Sequence, residues 1–176
     1  MMLKTQRLTL RPQQPGDAAA LFQVLNDAEA MRFWSRPPIA RLAVVEELVR
    51  EQQAAMAAGL CQYWTVVEDA DVIGSVDISL IRDGSAELGF LLRRDRWGLG
   101  LASEAVKAVI AHAVGPLGLK RLAAGIQLEN LAAARVLEKT GFVAVERRPV
   151  TIASGDLRDC AFYLLRRDQS AAANGR

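Results

Sequence analysis

The spacing of apolar and polar positions along the chain predicts strands and helices in alternation. Residues 7–11 alternate polar and apolar side chains, as a half-buried strand does, and Pro12 ends this pattern. Apolar positions recur at helical spacing over residues 18–25, after Asp17, a residue type suited to a helix N-cap. The other predicted helices cover residues 42–58, 102–113 and 130–140. The other predicted strands cover residues 63–67, 72–81, 87–92, 120–128, 143–152 and 158–165.

The order of these elements predicts one α/β domain with a mixed sheet. One strand and two helices are followed by three strands, and single helices then interrupt the last three strands without any internal repeat. A length of 176 residues suits one domain, which we place at residues 1–165. Residues 166–176 combine small polar residues with charges, and we expect a disordered tail there.

Composition narrows the classes of function. With 51% hydrophobic and 24% charged residues the chain is globular, and a net charge of +2 is too small to indicate a nucleic-acid partner. One histidine and two distant cysteines provide neither a metal-ligand set nor a Cys-x-x-Cys pair. The N-terminus lacks the apolar core of a signal peptide, and no apolar run approaches ~18 residues. We therefore expect a cytoplasmic protein with reduced thiols and without a metal or a membrane contact.

The most informative stretch is a basic turn that leads from the strand at 87–92 into Gly98 and Gly100 and then into a helix. Glycine has no Cβ, so the backbone at these positions can take a positive φ and approach a ligand closely. The amides of residues 99–103 would point at an anion together with the positive end of the helix. The stretch therefore predicts a phosphate or pyrophosphate site.

Two common phosphate-binding motifs fit this stretch poorly. A dinucleotide fingerprint needs a third small residue, a position that Ser103 occupies, and an acidic residue about 20 residues further on. The chain instead has basic Lys120 and Arg121 in that region, and the motif lies mid-chain. A P-loop needs Gly-Lys-Ser/Thr after its glycines, and this tripeptide does not occur.

A third motif fits better. The stretch Trp97-Gly98-Leu99-Gly100-Leu101-Ala102 resembles the acetyl-CoA loop Gln/Arg-x-x-Gly-x-Gly/Ala of the GNAT acetyltransferases. Tryptophan at its first position is typical of the ribosomal-protein N-terminal acetyltransferase branch. Residues 3–12 with Asp17 resemble that branch's first strand and helix, and residues 129–142 are similar to its signature Asn-x-x-Ser-x-x-Val-Leu-Glu-Lys-x-Gly-Phe. The resemblance covers residues 3–165 in the right order.

This resemblance implies a fold and a cofactor site. The sheet would be mostly antiparallel, flanked by about four helices, with a splayed parallel pair between the strands at 87–92 and 120–128, where a thioester enters. The co-substrate would be acetyl-CoA, held without a metal. The residues implied to bind it are Phe90, Leu91, Leu92, Trp97, Gly98, Leu99, Gly100, Leu101, Ala102, Asn130 and Arg135. A backbone N–H within 90–92 would also stabilise the developing oxyanion, and the arginines at 93, 94 and 96 would add positive charge near the phosphates.

Candidates for acid–base chemistry are few. Glu87 precedes the loop on its strand and is the predicted general base, with Asp77 on the preceding strand as the reserve candidate. His112 lies well inside a helix, where a surface or core role is expected. Ala133 stands where the second signature usually has serine, and no aromatic residue occurs in that helix, so a side-chain general acid is absent there.

The predicted function is transfer of an acetyl group to a primary amine by direct attack in a ternary complex. A protein α-amine, with a pKa of about 8, loses its proton more easily than a lysine at about 10.4, and the branch resemblance also favours it. A small amine such as a polyamine, antibiotic or amino acid is the alternative, and a non-catalytic acyl-CoA sensor is a third. Trp34, Tyr63 and Trp64 would line an acceptor pocket or belong to the core. A homodimer is a candidate assembly by resemblance alone.

Overall fold

An eight-stranded sheet organises the protein in the computed structural model, which describes residues 1–167. The strands are β1 (Leu3–Lys4), β2 (Thr9–Pro12), β3 (Gln62–Glu68), β4 (Asp71–Arg82), β5 (Ser85–Leu92), β6 (Arg121–Gln127), β7 (Val143–Thr151) and β8 (Leu157–Arg166). The helices are α1 (Ala18–Leu25), α2 (Leu42–Ala57), α3 (Leu101–Val114) and α4 (Leu131–Lys139). Within residues 1–167, no helix is both long enough and apolar enough to cross a membrane.

The strands lie side by side in the order β1-β2-β3-β4-β5-β6-β8-β7. Every neighbouring pair is antiparallel except β5 and β6, which run parallel. Their pairing covers only three positions and ends where Glu87 faces Ala123, so the two strands separate over the rest of β5. We call the space between the unpaired parts of β5 and β6 the gap. The predicted mixed sheet with one splayed parallel pair is confirmed.

Strand alternation gives the sheet two different faces. One face buries large apolar side chains against α3, among them Val76 and Ile78 of β4 and Leu88 of β5. The other face lies under α1 and α2, where apolar clusters form around Val45 and Leu91. The polar residues of β4 and β5 that concern the chemistry are on this second face.

The ends of two predicted elements differ in detail from the structure. Asp17 stands at the N-cap position of α1, but its side chain makes no capping hydrogen bond to that helix. Its carboxylate instead accepts hydrogen bonds from Arg11, Thr65 and the amide of Gln14. At the C-terminal end, Arg166 belongs to β8, and residues 168–176 of the expected tail lie outside the described residues.

Candidate active site

The glycine loop between β5 and α3 presents a row of free backbone amides. Gly98 and Gly100 have φ of +75° and +79°, a conformation that L side chains rarely adopt. Gly100 is the N-cap of α3 and supplies no side chain to cap it. In the described chain, the amides from Gly98 to Ser103 donate no hydrogen bond. They are therefore available to an anion at the positive end of α3, as the sequence predicts.

The end of β5 and the loop are fastened to each other by Trp97. Its indole Nε1 donates a hydrogen bond of 2.8 Å to the carbonyl of Leu92, while 44% of the residue remains exposed. Leu99 is exposed at the tip of the loop, whereas Leu101 is buried in the core beneath α3. Of the predicted loop residues, Trp97 and Leu101 thus hold the loop in place by their side chains.

Arg7, which the sequence analysis did not single out, also holds this loop. Its guanidinium donates a hydrogen bond of 2.9 Å to the carbonyl of Leu99. It also forms an ion pair of 2.7 Å with Glu104 in the first turn of α3. Glu104 also accepts a 2.6 Å hydrogen bond from Thr5. Burial acts to raise the pKa of Glu104, but the hydrogen bonds from Thr5 and Arg7 prevail and lower it. Arg7 therefore ties the loop to the first turn of α3, and Glu104 balances its charge.

The three arginines that precede the glycines are engaged with carboxylates. Their partners are Asp71 and Asp95 for Arg93, Glu68 and Asp95 for Arg96, and Asp27 for Arg94. Their charges are therefore compensated in this structure. The expectation that they add net positive charge for phosphates receives no support from these contacts.

The head of α4, which follows β6 in the chain, supplies the second predicted contact region. The Asn130 side chain caps α4 by accepting a 3.1 Å hydrogen bond from the amide of Ala133. The residue Ala133 itself is buried, so an apolar methyl group occupies the position where a hydroxyl would be expected. Arg135 lies exposed on the same helix. On β5, Leu91 and Leu92 are buried, and Phe90 packs against the core beside α3.

The two candidate carboxylates lie on the same face of the sheet but in different surroundings. Asp77 pairs with Gly89 across β4 and β5, and Ser79 pairs with Glu87 two residues further on. Glu87 is exposed, whereas only 9% of Asp77 is exposed. The carboxylate of Asp77 accepts no hydrogen bond from the described residues. Burial, and then the charge of Glu87, raise the pKa of Asp77 to about 7.

Gly89 makes room for this carboxylate. A Cβ at position 89 would lie 2.6 Å from Oδ1 of Asp77, closer than real contacts allow. The side chain of Asp77 therefore occupies the space above β5 that a residue other than glycine would fill. This position is two residues beyond Glu87, where the pairing of β5 with β6 stops.

The aromatic candidates divide between this face and the core. Tyr63 pairs with Asp77 across β3 and β4, and burial together with the charge of Asp77 raises its pKa to about 12. Trp34 is half-buried in the apolar cluster that includes Leu91, on the same side of the sheet. Trp64 is fully buried in the main core, so it does not line a pocket on the Asp77 face.

His112 belongs to the core, as expected. Its ring makes a T-shaped contact with Trp64, with 5.5 Å between the ring centroids. Its Nε2 lies 3.2 Å from the amide oxygen of Gln62. Burial lowers its pKa. Among residues 1–167, no cluster of three or more His, Cys, Asp and Glu side chains is arranged to hold a metal ion.

Known proteins share this architecture. The model of the acetyltransferase (GNAT) domain family matches residues 7–143. A relative described as the uncharacterized N-acetyltransferase p20 of Bacillus licheniformis is 30% identical over 144 residues, which are 80% of this chain and 81% of the relative. The chain therefore belongs to the GNAT acetyltransferase family. As a member of it, the protein is an acetyl-CoA-dependent N-acetyltransferase.

Two solved structures illustrate the fold. RimL, a ribosomal alpha-N-protein acetyltransferase in complex with coenzyme A, superposes with a TM-score of 0.86 at 18% identity, over 96% of this chain and 99% of that one. The spermidine N-acetyltransferase of Vibrio cholerae, in complex with coenzyme A and spermine, superposes with a TM-score of 0.83 at 20% identity, over 95% and 99% of the two chains. At these identities the likeness concerns the fold.

Proposed function

We propose that this protein acetylates a primary amine, with a protein N-terminal α-amine as the favoured acceptor, by direct attack within a ternary complex. The observation that carries the proposal is the row of backbone amides from Gly98 to Ser103 at the head of α3, which donate no hydrogen bond within residues 1–167. The loop follows the C-terminal end of β5, the part of that strand that is not paired with β6. An anion-binding helix terminus beside an open strand edge suits a ligand with a pyrophosphate and a long amide-bearing arm.

The residues of the loop, β5 and α4 suit coenzyme A. The amides of 98–102 would hold its pyrophosphate, and the backbone of 90–92 would pair with its pantetheine arm beside the gap. Asn130 and Arg135 would add contacts from α4, and the cap that Asn130 provides leaves its amide nitrogen free for this. When bound, acetyl-CoA supplies an activated acetyl thioester. A backbone N–H of 90–92 would stabilise the negative charge that develops on the carbonyl oxygen.

Two carboxyl groups, those of Glu87 and Asp77, lie on the face of the sheet where we propose that the amine binds. An amine must be unprotonated to attack, and the carboxylates of Glu87 and Asp77 are the groups on this face that can accept its proton. Glu87 is the base that the sequence predicts, and Asp77 is the second candidate. Since Ala133 offers no hydroxyl, the thiolate would leave without a side-chain acid from α4, which its moderate pKa permits.

A polyamine is the second candidate acceptor. The two carboxylates would attract a ligand with several positive charges, and a spermidine N(1)-acetyltransferase of Vibrio cholerae is 27% identical to this chain over 141 residues. The α-amine is favoured because a base of moderate strength deprotonates it more easily than an alkyl amine.

Ligand binding and turnover separate the possible functions. We expect acetyl-CoA, but not NAD, to raise the unfolding temperature of the purified protein, because binding to the folded state alone stabilises it. We also expect thiol release when acetyl-CoA is mixed with the right acceptor from a panel. The panel contains peptides with the N-terminal sequences of ribosomal proteins, spermidine and aminoglycosides, and mass spectrometry of the acceptor confirms the transfer.

Three results would contradict the proposal in different ways. Stabilisation by NAD alone would indicate a dinucleotide-binding protein. Stabilisation by acetyl-CoA without acetylation of any acceptor would favour the acyl-CoA sensor. Acetylation of spermidine but of no peptide would replace the α-amine by the polyamine as acceptor.

A further inference from the structure

Asp77 is an unusual residue in the centre of a sheet. It lies on β4 between β3 and β5, more than nine-tenths buried, and its carboxylate has no hydrogen-bond partner among residues 1–167. Buried carboxylates are normally paired or hydrogen-bonded because desolvation penalises the charge. A group that is kept in such surroundings without a structural partner points to a chemical role.

The space around Asp77 is arranged for this carboxylate. Gly89 directly opposite has no side chain, and even a methyl group there would collide with Oδ1 at 2.6 Å. Gly89 also lies on β5 at the part that is not paired with β6. The carboxylate thus sits over the backbone that borders the gap, on the opposite face of the sheet from the core packed beneath α3.

We propose that Asp77, and not Glu87, is the general base of the transfer, and that Glu87 tunes it from the solvent-exposed end of the same face. This inference rests on the proposed function. It assigns a role to a residue that was only the reserve candidate in the sequence, and it turns the predicted base into a charge that acts on Asp77.

The groups that face Asp77 favour its protonated, neutral form. Glu87 on β5 contributes a like charge, which disfavours ionisation of Asp77. Tyr63 on β3 stays protonated at neutral pH, and burial raises the pKa of the Cys61 thiol just before β3. Arg36, in the segment between α1 and α2, acts on Tyr63. A base whose pKa lies near the working pH is efficient in both accepting and releasing a proton.

The proposed step balances in atoms and electrons. An N–H bond of the acceptor ammonium breaks and its proton forms an O–H bond with the carboxylate of Asp77. The neutral amine attacks the thioester carbonyl, so that a C–N bond forms, the C–S bond breaks, and the sulfur leaves with the electron pair. The second proton lost by the nitrogen goes to the leaving sulfur, and Asp77 returns its own proton to solvent.

The test compares Asp77→Asn with Glu87→Gln, two changes that each replace a carboxylate by an amide of similar shape. The acceptor is the panel member that gives thiol release with the wild-type protein. We expect Asp77→Asn to lower kcat by at least about 100-fold while the dissociation constant for acetyl-CoA stays within about twofold. Asp77→Ala should show the same loss and should regain part of the activity when formate is added, because formate fits the space that the side chain vacates.

The pH profile distinguishes the base from its neighbour. For the wild type, kcat/KM should rise with pH through about 7, as the carboxyl group of Asp77 loses its proton. In Glu87→Gln this limb should move to lower pH, because the like charge that raises the pKa of Asp77 is gone, and the enzyme should stay active. Glu146→Gln, on the exposed strand β7, is the control that should leave the profile in place.

The outcomes distinguish a failure of the proposed function from a failure of the inference alone. A wild type that binds acetyl-CoA but acetylates nothing would overturn the proposed function, and the inference with it. An active wild type with an equally active Asp77→Asn variant would overturn the inference alone. Loss of activity in Glu87→Gln, with a normal profile in Asp77→Asn, would return the role of base to Glu87.

Discussion

Asp77 and Gly89 show how one residue constrains another across a sheet. The carboxylate needs the open space above Gly89, and its burial beside Glu87 raises its pKa to about 7 from an ordinary value of 3.8. A buried group that must ionise works against folding. The chemical role proposed for Asp77 therefore has a consequence for stability that can be measured without any acceptor.

At the residue scale, we expect Asp77→Asn to stabilise the protein at pH 8. Between pH about 4 and 7 the folded state binds more protons at Asp77 than the unfolded state, so the free energy of unfolding falls as the pH rises through this window. Asparagine does not titrate and avoids this loss. The variant should exceed the wild type by on the order of 1–3 kcal/mol at pH 8, and by less at pH 5. Urea unfolding at several pH values would measure this, and parallel pH profiles of the two proteins would contradict it.

At the scale of elements, the contact between the N-terminal strands and the glycine loop is the feature that joins distant parts of the chain. The turn between β1 and β2 contributes Thr5 and Arg7, and both bind Glu104 at the start of α3. Arg7 also holds the carbonyl of Leu99 in the loop. The loop geometry thus depends on the first strands as well as on its own glycines.

Arg7→Ala should weaken the binding of acetyl-CoA. Removal of the guanidinium leaves the Glu104 carboxylate without its ion pair in the first turn of α3, where a negative charge opposes a phosphate. We expect KM for acetyl-CoA to rise by about 3- to 10-fold with little change in kcat. Arg7→Ala combined with Glu104→Gln should recover part of this loss. Arg158→Ala, at an exposed ion pair beyond the β7–β8 turn, is the matched control, and an equal effect there would exclude a specific role of Arg7.

Substitutions of Asn130 test the hydrogen bond that caps the start of α4. Its side chain accepts the amide hydrogen of Ala133, one of the otherwise unsatisfied donors of that helix. Asn130→Ala should destabilise the protein by about 1 kcal/mol, and Asn130→Asp should restore the cap. If Asn130 also contacts coenzyme A through its amide nitrogen, the Asp variant should regain stability but not affinity. Thermal unfolding and calorimetric titration with coenzyme A would separate the two roles.

At the scale of the whole molecule, local patterns predicted the elements and the family motifs predicted their arrangement. The alternation in β4 and β5 and the helical spacing in α2 and α3 concern neighbours in sequence, so they could be read directly. The burial of Asp77 depends on three strands meeting in one register, and the contact of Arg7 with Leu99 joins residues 92 positions apart. Such contacts leave no periodic signal. The sequence therefore could not predict that Asp77 is buried or that Arg7 contacts the loop.

The short parallel pairing of β5 with β6 has a further consequence for the architecture. All five strands that precede it in the chain lie on one side, the three that follow lie on the other, and the chain crosses between them once, through α3. Within the sheet, the molecule thus consists of two contiguous segments that are joined by the short pairing of β5 with β6. The glycine loop and both carboxylates belong to the first segment, while the second brings Asn130 and Arg135. A break in the connection after α3 would leave each segment with its own strands, reunited mainly by apolar side chains in the shared core.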